Sequence, residues 1–372
     1  MRRILLVGDY PPPWGGLSTQ IAGLRSRLLT LGDEVVVLDI GRHRRAPRPE
    51  CLPARGAASF ARTLVAHARR GFTVHLHTNG HNVKSWMAAG IAAASGLGSG
   101  RRTVLTLGSG LMPSFLAGAR GPLRRLVHAT LRAAGGCIVR NAAAREAVIA
   151  LGTAPAKVRV IPGFYGVTPR EVGRVPLPAA RFRRGHRPLI GMIASPGPEY
   201  GLALLIDAAA HLRPRHPELG VLLIGPDRLV DGHPTWALPL GELERPGVLA
   251  VMRTLDVFVR PTYFDGDASS VREALATGVR VVASDTAVRP AGVRTFRRGD
   301  ADALAASIGA ALQEPPTRVL STFLPALLEV YDALPLGRMP VASRVGDAAD
   351  PADSAPEDTP AVRTVSEEPR VA

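Results

Sequence analysis

The sequence predicts an α/β protein made of two doubly wound parallel-sheet domains facing each other across a cleft. Short apolar runs rich in β-branched residues alternate with stretches of helical periodicity. The alternation runs twice, before and after a Pro- and Arg-rich stretch from Thr168 to Pro188 that has little periodicity. Loops rich in Gly and acidic residues follow the carboxyl ends of several predicted strands, where open α/β sheets bind ligands.

In the first series the pattern predicts strands at Ile4–Gly8, Glu34–Leu38, Thr73–His77, Thr103–Leu107, Gly136–Val139 and Lys157–Ile161. Between them it predicts helices at Leu17–Leu31, Val83–Ala94, Pro122–Ala134 and Ala142–Leu151. The second series has strands at Leu189–Ala194, Leu219–Ile224, Asp256–Arg260 and Val279–Ser284, with helices at Glu199–Leu212, Gly247–Leu255 and Ala301–Leu312. Arg318–Leu334 reads as a further helix. The domains expected are 1–168, a linker at 169–187, 188–316, a C-terminal helix at 317–336 that packs back on the first domain, and a disordered tail at 337–372.

A length of 372 residues and 46% hydrophobic content fit two domains with their own cores. The apolar runs at 86–98 and 202–210 fall well short of the roughly 20 residues of a membrane span. Ile4–Gly8 is too short for the apolar part of a secretory leader, so a cytoplasmic protein is expected. Cys51 and Cys137 are too few for a disulfide framework. The net charge of +15 is almost wholly arginine, since Lys84 and Lys157 are the only lysines. Such a charge fits nucleic acid, anionic membrane or phosphorylated small molecules. With 5% aromatic residues and no arginine–aromatic alternation, nucleic acid is disfavoured.

The most informative stretch is Arg260-Pro-Thr-Tyr-Phe-Asp265-Gly-Asp-Ala-Ser-Ser270-Val-Arg-Glu273. It places two carboxylates around a turn between a strand and a helix, at a strand's carboxyl end, where they can accept hydrogen bonds from a polyhydroxylated ligand. Ser270 and Glu273 also have the spacing of a capping box, which would need Glu273 only to hold the helix start. In Asp9-Tyr-Pro-Pro-Pro-Trp-Gly15-Gly16-Leu-Ser18, a Gly pair leads into a helix, so backbone amides can approach an anion closely. The loop lacks the G-x-G-x-x-G spacing of a dinucleotide fold.

These motifs resemble the retaining glycosyltransferases of the GT-B fold, family four, also called group-one glycosyltransferases, over roughly residues 1 to 335. The resemblance implies two Rossmann-like domains and a nucleotide sugar, UDP- or GDP-linked, as co-substrate, with no cofactor and no metal. That family has two glutamates separated by seven residues, here Asp265 and Glu273, and they are the implied catalytic pair. Glu273 would accept from the ribose, and Asp265 would lie near the donor sugar. Gly15 and Gly16 would approach the donor phosphates.

The chain departs from the family pattern twice. The family's Arg and Lys after the first strand of the second domain are absent, with Tyr200 where the Lys would fall. Arg260 and Arg289, helped by amides near Ser269 and Ser270, are the expected substitutes for balancing phosphate charge. The family's histidine is replaced by Gly108, leaving His77, Asn79, His81 and Ser109 as acceptor-side candidates. His75 and His77 share a strand face, so position alone does not single one out, and without a third ligand a metal role ranks below acceptor binding. Asp265-Gly-Asp267 mimics the metal-binding acidic triplet of the other large glycosyltransferase fold, but its place in a second α/β domain argues against that use.

The activity expected is transfer of a hexose-type sugar with retention, by a front-face route. The acceptor would be a glycan or a lipid-linked precursor of polysaccharide or glycolipid. Arg120, Arg124, Arg125 and Arg132 lie on a partly amphipathic helix that would rest on anionic lipid at the inner face of the membrane. The same pattern also fits a helix with an apolar face turned to the core and arginines in solvent. Two other activities stay open: a non-catalytic protein of this fold that binds a nucleotide sugar or a partner, and a nucleotide-sugar epimerase.

Overall fold

Strand after strand in this chain is apolar on both faces, as a parallel sheet covered by helices on both sides requires. The computed structural model describes residues 1–12, 14–41, 49–54, 56–97, 103–195, 197–226, 234–265, 267–286 and 289–334. The tail expected at 337–372 lies outside the described residues.

The first half of the chain forms β1 (Arg3–Gly8), α1 (Gly16–Thr30), β2 (Glu34–Asp39), β3 (Leu52–Pro53), α2 (Ala57–Arg69), β4 (Thr73–Thr78) and α3 (Val83–Leu97). It continues with β5 (Thr103–Leu107), α4 (Met112–Ala117), α5 (Gly121–Ala133), β6 (Gly136–Val139), α6 (Ala142–Ile149) and β7 (Val158–Val160). The second half contains α7 (Leu177–Gly185), β8 (Leu189–Ile193), α8 (Leu202–Leu212), β9 (Gly220–Ile224), β10 (Ala237–Pro239) and α9 (Arg245–Met252). It ends with β11 (Val257–Arg260), α10 (Ser269–Thr277), β12 (Arg280–Ser284), β13 (Val293–Phe296), α11 (Ala301–Gln313) and α12 (Leu324–Asp332).

All strands pair in parallel, in two sheets ordered β3-β2-β1-β4-β5-β6-β7 and β10-β9-β8-β11-β12-β13. Period-2 alternation splits each strand between two cores. Leu5, Val7, Val74, Leu76, Leu105 and Leu107 face one side of the first sheet, while Ile4, Leu6, Val104 and Ile138 face the other. The second sheet does the same, with Ile190, Met192, Val221 and Leu223 on one side and Leu189, Leu222 and Ile224 on the other.

Each sheet reverses its strand order once, between β1 and β4 in the first and between β8 and β11 in the second. Where neighbouring connections leave in opposite directions, a crevice remains outside the carboxyl ends of the strands. The glycine loop after β1 and the acidic loop after β11 both stand at such points.

The stretch read as a linker contains a helix, α7, which the Pro and Arg content concealed. Its Pro178 lies in the first turn, where a missing amide hydrogen costs nothing, and Ala179 is buried against the second domain. The last helix, α12, packs on the first sheet: Leu327, Val330 and Tyr331 share a core with Ile4, Leu6 and Val104. Arg2 clamps Asp332 with two hydrogen bonds of 2.7 Å, and the Tyr331 hydroxyl meets His75 Nδ1 at 2.6 Å. Leu327 is 1% exposed, so Leu327→Ala should cost about 2–5 kcal/mol of stability in urea unfolding. A loss below about 1 kcal/mol would show that α12 contributes little to that core.

Candidate active site

A cavity of about 520 Å³ lies between the two sheets' loops, lined from the first half by Trp14, Gly15, Gly16, Gln20, Asn79 and Gly108. From the second half come Tyr200, Glu242, Arg245, Arg260, Asp265, Asp267, Ser269, Ser270 and Glu273. The two loops touch directly, since the Trp14 amide donates to Glu242 Oε1 at 2.6 Å.

Glu273 does not close a helix end. Helix α10 starts at Ser269 with Ala268 as its cap, and no side chain caps it. Instead Glu273, 5% exposed, accepts from Arg245 Nε at 2.8 Å through Oε1. Its second oxygen has no hydrogen-bond partner among the described residues. Arg245 also donates to Glu171 at 2.8 Å, and Glu171 accepts from Arg27 of α1 at 2.6 Å. A chain of four alternating charges thus runs from the motif helix through the interdomain segment to the first domain.

Asp265 is held by two arginines, accepting from Arg289 Nη1 at 2.8 Å and Arg260 Nε at 3.3 Å. Burial alone would raise its carboxyl, but the two guanidiniums outweigh that and hold it below the usual carboxylate range. Glu171 is likewise held low, because the Thr168 amide and Arg245 outweigh burial. Asp267 pairs with Arg272 at 2.9 Å.

The expected site residues divide by position. Gly15, Gly16, Arg260, Ser269, Ser270, Asp265, Glu273 and Asn79 line the cavity. Arg289 does not. Its side chain is 4% exposed and donates to Asp265, to the Ser284 carbonyl and to Thr286, so it supports the wall from behind. His77, His81 and Ser109 are also off the wall. His77 is buried against His75 with ring centroids 4.0 Å apart, and burial, His75 and Arg140 hold its imidazole neutral, well below the usual histidine range. Ser109 Oγ accepts the Leu111 amide instead of facing the cavity.

The structure also gives a reason for the glycine at 108. A Cβ there would meet Leu17 Cδ2 at 2.7 Å, so Leu17 fills the space a side chain at 108 would need. By contrast, a Cβ on Gly16 would meet nothing within 4 Å, and one on Gly15 only Ser18 Oγ at 3.7 Å. Protein packing therefore does not demand the Gly pair.

Sequence reasoning missed Arg245 and Gln20. Neither belongs to a local motif. Arg245 sits at the start of α9, 28 residues from Glu273 and 74 from Glu171. Among the described residues no cluster of three or more His, Cys, Asp or Glu side chains could hold a metal ion.

Two parallel α/β domains with a cavity between them define the GT-B class of protein, and solved structures agree on the fold. Sucrose-phosphate synthase from Thermosynechococcus elongatus superposes with a TM-score of 0.63 at 19% identity, covering 90% of this chain and 95% of that one. Alr3699/HepE of Anabaena, solved in complex with UDP and glucose, gives 0.60 at 16% identity over 84% of this chain and 90% of that one. The UDP-forming trehalose-phosphate synthase of Burkholderia xenovorans gives 0.59 at 16% identity over 85% and 92%. Residues 187–314 match the family model of group 1 glycosyl transferases. No curated protein matches by sequence.

The charge pairs around Asp265 and Glu171 set an acid limit. A carboxyl whose folded value is depressed stabilises the fold above its unfolded value, and that contribution is lost as pH falls through the folded value. Urea midpoints should therefore be level above about pH 5 and fall below about pH 4. Arg289→Met should cost about 3 kcal/mol at pH 7 and flatten that fall. An unchanged acid profile in Arg289→Met would show that the pair does not govern it.

Proposed function

We propose that the protein transfers a sugar from a nucleoside diphosphate sugar to an acceptor held by the first domain, with retention at the anomeric carbon. One observation carries this reading: a single cavity gathers the Gly pair and α1 start of one domain and Asp265, Ser269, Ser270 and Glu273 of the other. The ribose hydroxyls donate to the second oxygen of Glu273, whose first oxygen is fixed by Arg245. The diphosphate sits between the starts of α1 and α10, where the helix dipoles favour anions. The Gly pair fits such a ligand, since its lack of side chains serves no contact within the protein.

Asp265 orients the donor sugar's hydroxyls. The bond from the anomeric carbon to phosphate breaks as the acceptor oxygen bonds on the same face, and the leaving phosphate oxygen takes the acceptor's proton. Arg260 and the helix starts add positive potential beside the leaving phosphate, with no metal required. UDP sugars are the first donors to test, because HepE was solved with UDP and glucose.

For the acceptor we favour a glycan or lipid-linked precursor at the cytoplasmic membrane face. Arg120, Arg124, Arg125 and Arg132 are all exposed, although the apolar side of α5, with Val127 and Leu131, is turned into the core. Val83 and Met87, one turn apart at the start of the neighbouring α3, are 49% and 55% exposed and supply apolar surface. No described helix is long and apolar enough to cross a membrane. A non-catalytic nucleotide-sugar binder is the second reading, favoured by Leu17 filling the space beside Gly108.

Three experiments separate these readings. UDP sugar should raise the melting temperature of the wild type and be consumed with acceptor, whereas Glu273→Ala should do neither while still unfolding cooperatively. Binding without any transfer favours the second reading, and an active Glu273→Ala protein overturns the site. Gly16→Val should change stability by no more than about 0.5 kcal/mol yet weaken donor binding about tenfold or more, by calorimetry. Flotation with liposomes should rise with anionic lipid and fall when Arg124, Arg125 and Arg132 become Gln. Equal flotation with and without anionic lipid would contradict membrane docking.

A further inference from the structure

The cavity wall is short of positive charge for a diphosphate. Four carboxylates line it, Glu242, Asp265, Asp267 and Glu273, against Arg245 and Arg260. Both arginines are already engaged, Arg245 with Glu171 and Glu273 and Arg260 with Asp265. A buried cation stands elsewhere. Arg140, at the carboxyl end of β6, is 5% exposed and has no carboxylate at ion-pair distance among the described residues. Its Nη1 donates to the Ile161 carbonyl at 2.8 Å, its Nη2 donates to Gln20 Oε1, and its Nε has no partner. The side chains beside it do not compensate the charge, since burial and Arg140 push the His75 imidazole down to about 3 and hold His77 neutral too.

Keeping a guanidinium buried without a counter-ion is costly unless an anion is met during function. Gln20 is the link to the cavity. It is 8% exposed on α1, lines the cavity, and its amide packs on Gly163, where a Cβ would meet it at 2.3 Å. Because an arginine can only donate, Arg140 fixes which end of the amide is which: Oε1 points inward and the NH2 group is left over. That NH2 has no hydrogen-bond partner among the described residues.

We infer that Gln20 donates from Nε2 to a phosphate oxygen of the nucleotide sugar, with Arg140 as the positioning residue that orients the amide and adds positive potential behind it. The first domain thereby supplies charge stabilisation at the diphosphate that the second domain lacks. This inference rests on reading the cavity as a nucleotide-sugar site.

The test compares binding of UDP, GDP and ADP with that of their nucleosides by calorimetry, in the wild type, Gln20→Glu and Arg140→Met. The wild type should prefer diphosphate over nucleoside. Gln20→Glu should reduce that preference roughly tenfold or more with nucleoside affinity unchanged. Its melting temperature should stay level or rise, because the new carboxylate pairs with Arg140. Arg140→Met should reduce the same ratio, which a purely structural role would leave alone. A full diphosphate preference in Gln20→Glu overturns the inference while sparing the site. A wild type that binds no diphosphate overturns the site and the inference with it.

Discussion

The chain of charges from Arg27 through Glu171 and Arg245 to Glu273 is the contact on which the site's geometry rests. Each carboxylate in it is flanked by a guanidinium, so none stands in the interior as an unpaired charge. It joins four parts of the chain that share no local sequence: the first helix, the segment between the domains, the start of α9 and the motif helix. Glu273 thus faces the cavity fixed by Arg245, and its aim depends on where the first domain stands. A ligand spanning both domains would be felt along the same chain.

Around Asp265 the logic is similar but local. Arg260 ends β11, just before the loop that carries Asp265, and Arg289 comes from the loop after β12, so the carboxylate is held by neighbours of its own sheet. Asp265 therefore belongs to the rigid wall of the second domain, whereas Glu273 belongs to the seam between domains. The departures from the family pattern also find physical causes. A side chain at 108 would have to displace Leu17, which packs beside Gly108, and with Tyr200 lining the wall the expected lysine is replaced by a phenol.

Much of this was legible in the sequence where the signal is local. Strands such as Ile4–Val7 and Val257–Val259 are short apolar runs, and a loop of Gly or Asp directly after one marks a carboxyl end whatever the rest of the chain does. The turn holding Asp265 and Glu273 is of that kind, and so is the Gly pair. What was not legible lies in long-range pairing. The partners of Arg245 are 28 and 74 residues away, and Gln20 and Arg140 are separated by 120. Helix α7 was hidden by Pro and Arg, and the two-residue β3 is too short to show a period. The histidines at 75 and 77 misled for the opposite reason: alternation put them together, but on a buried face instead of on the cavity.

The most direct measurement of the central claim is a crystal structure of the protein with a nucleoside diphosphate bound. The ribose should lie within hydrogen-bond distance of Glu273, with the diphosphate between the Gly15–Gly16 loop and the Ser269 end of α10. A nucleotide bound outside the interdomain cavity, or lying in it with Glu273 turned away from the ribose, would contradict it.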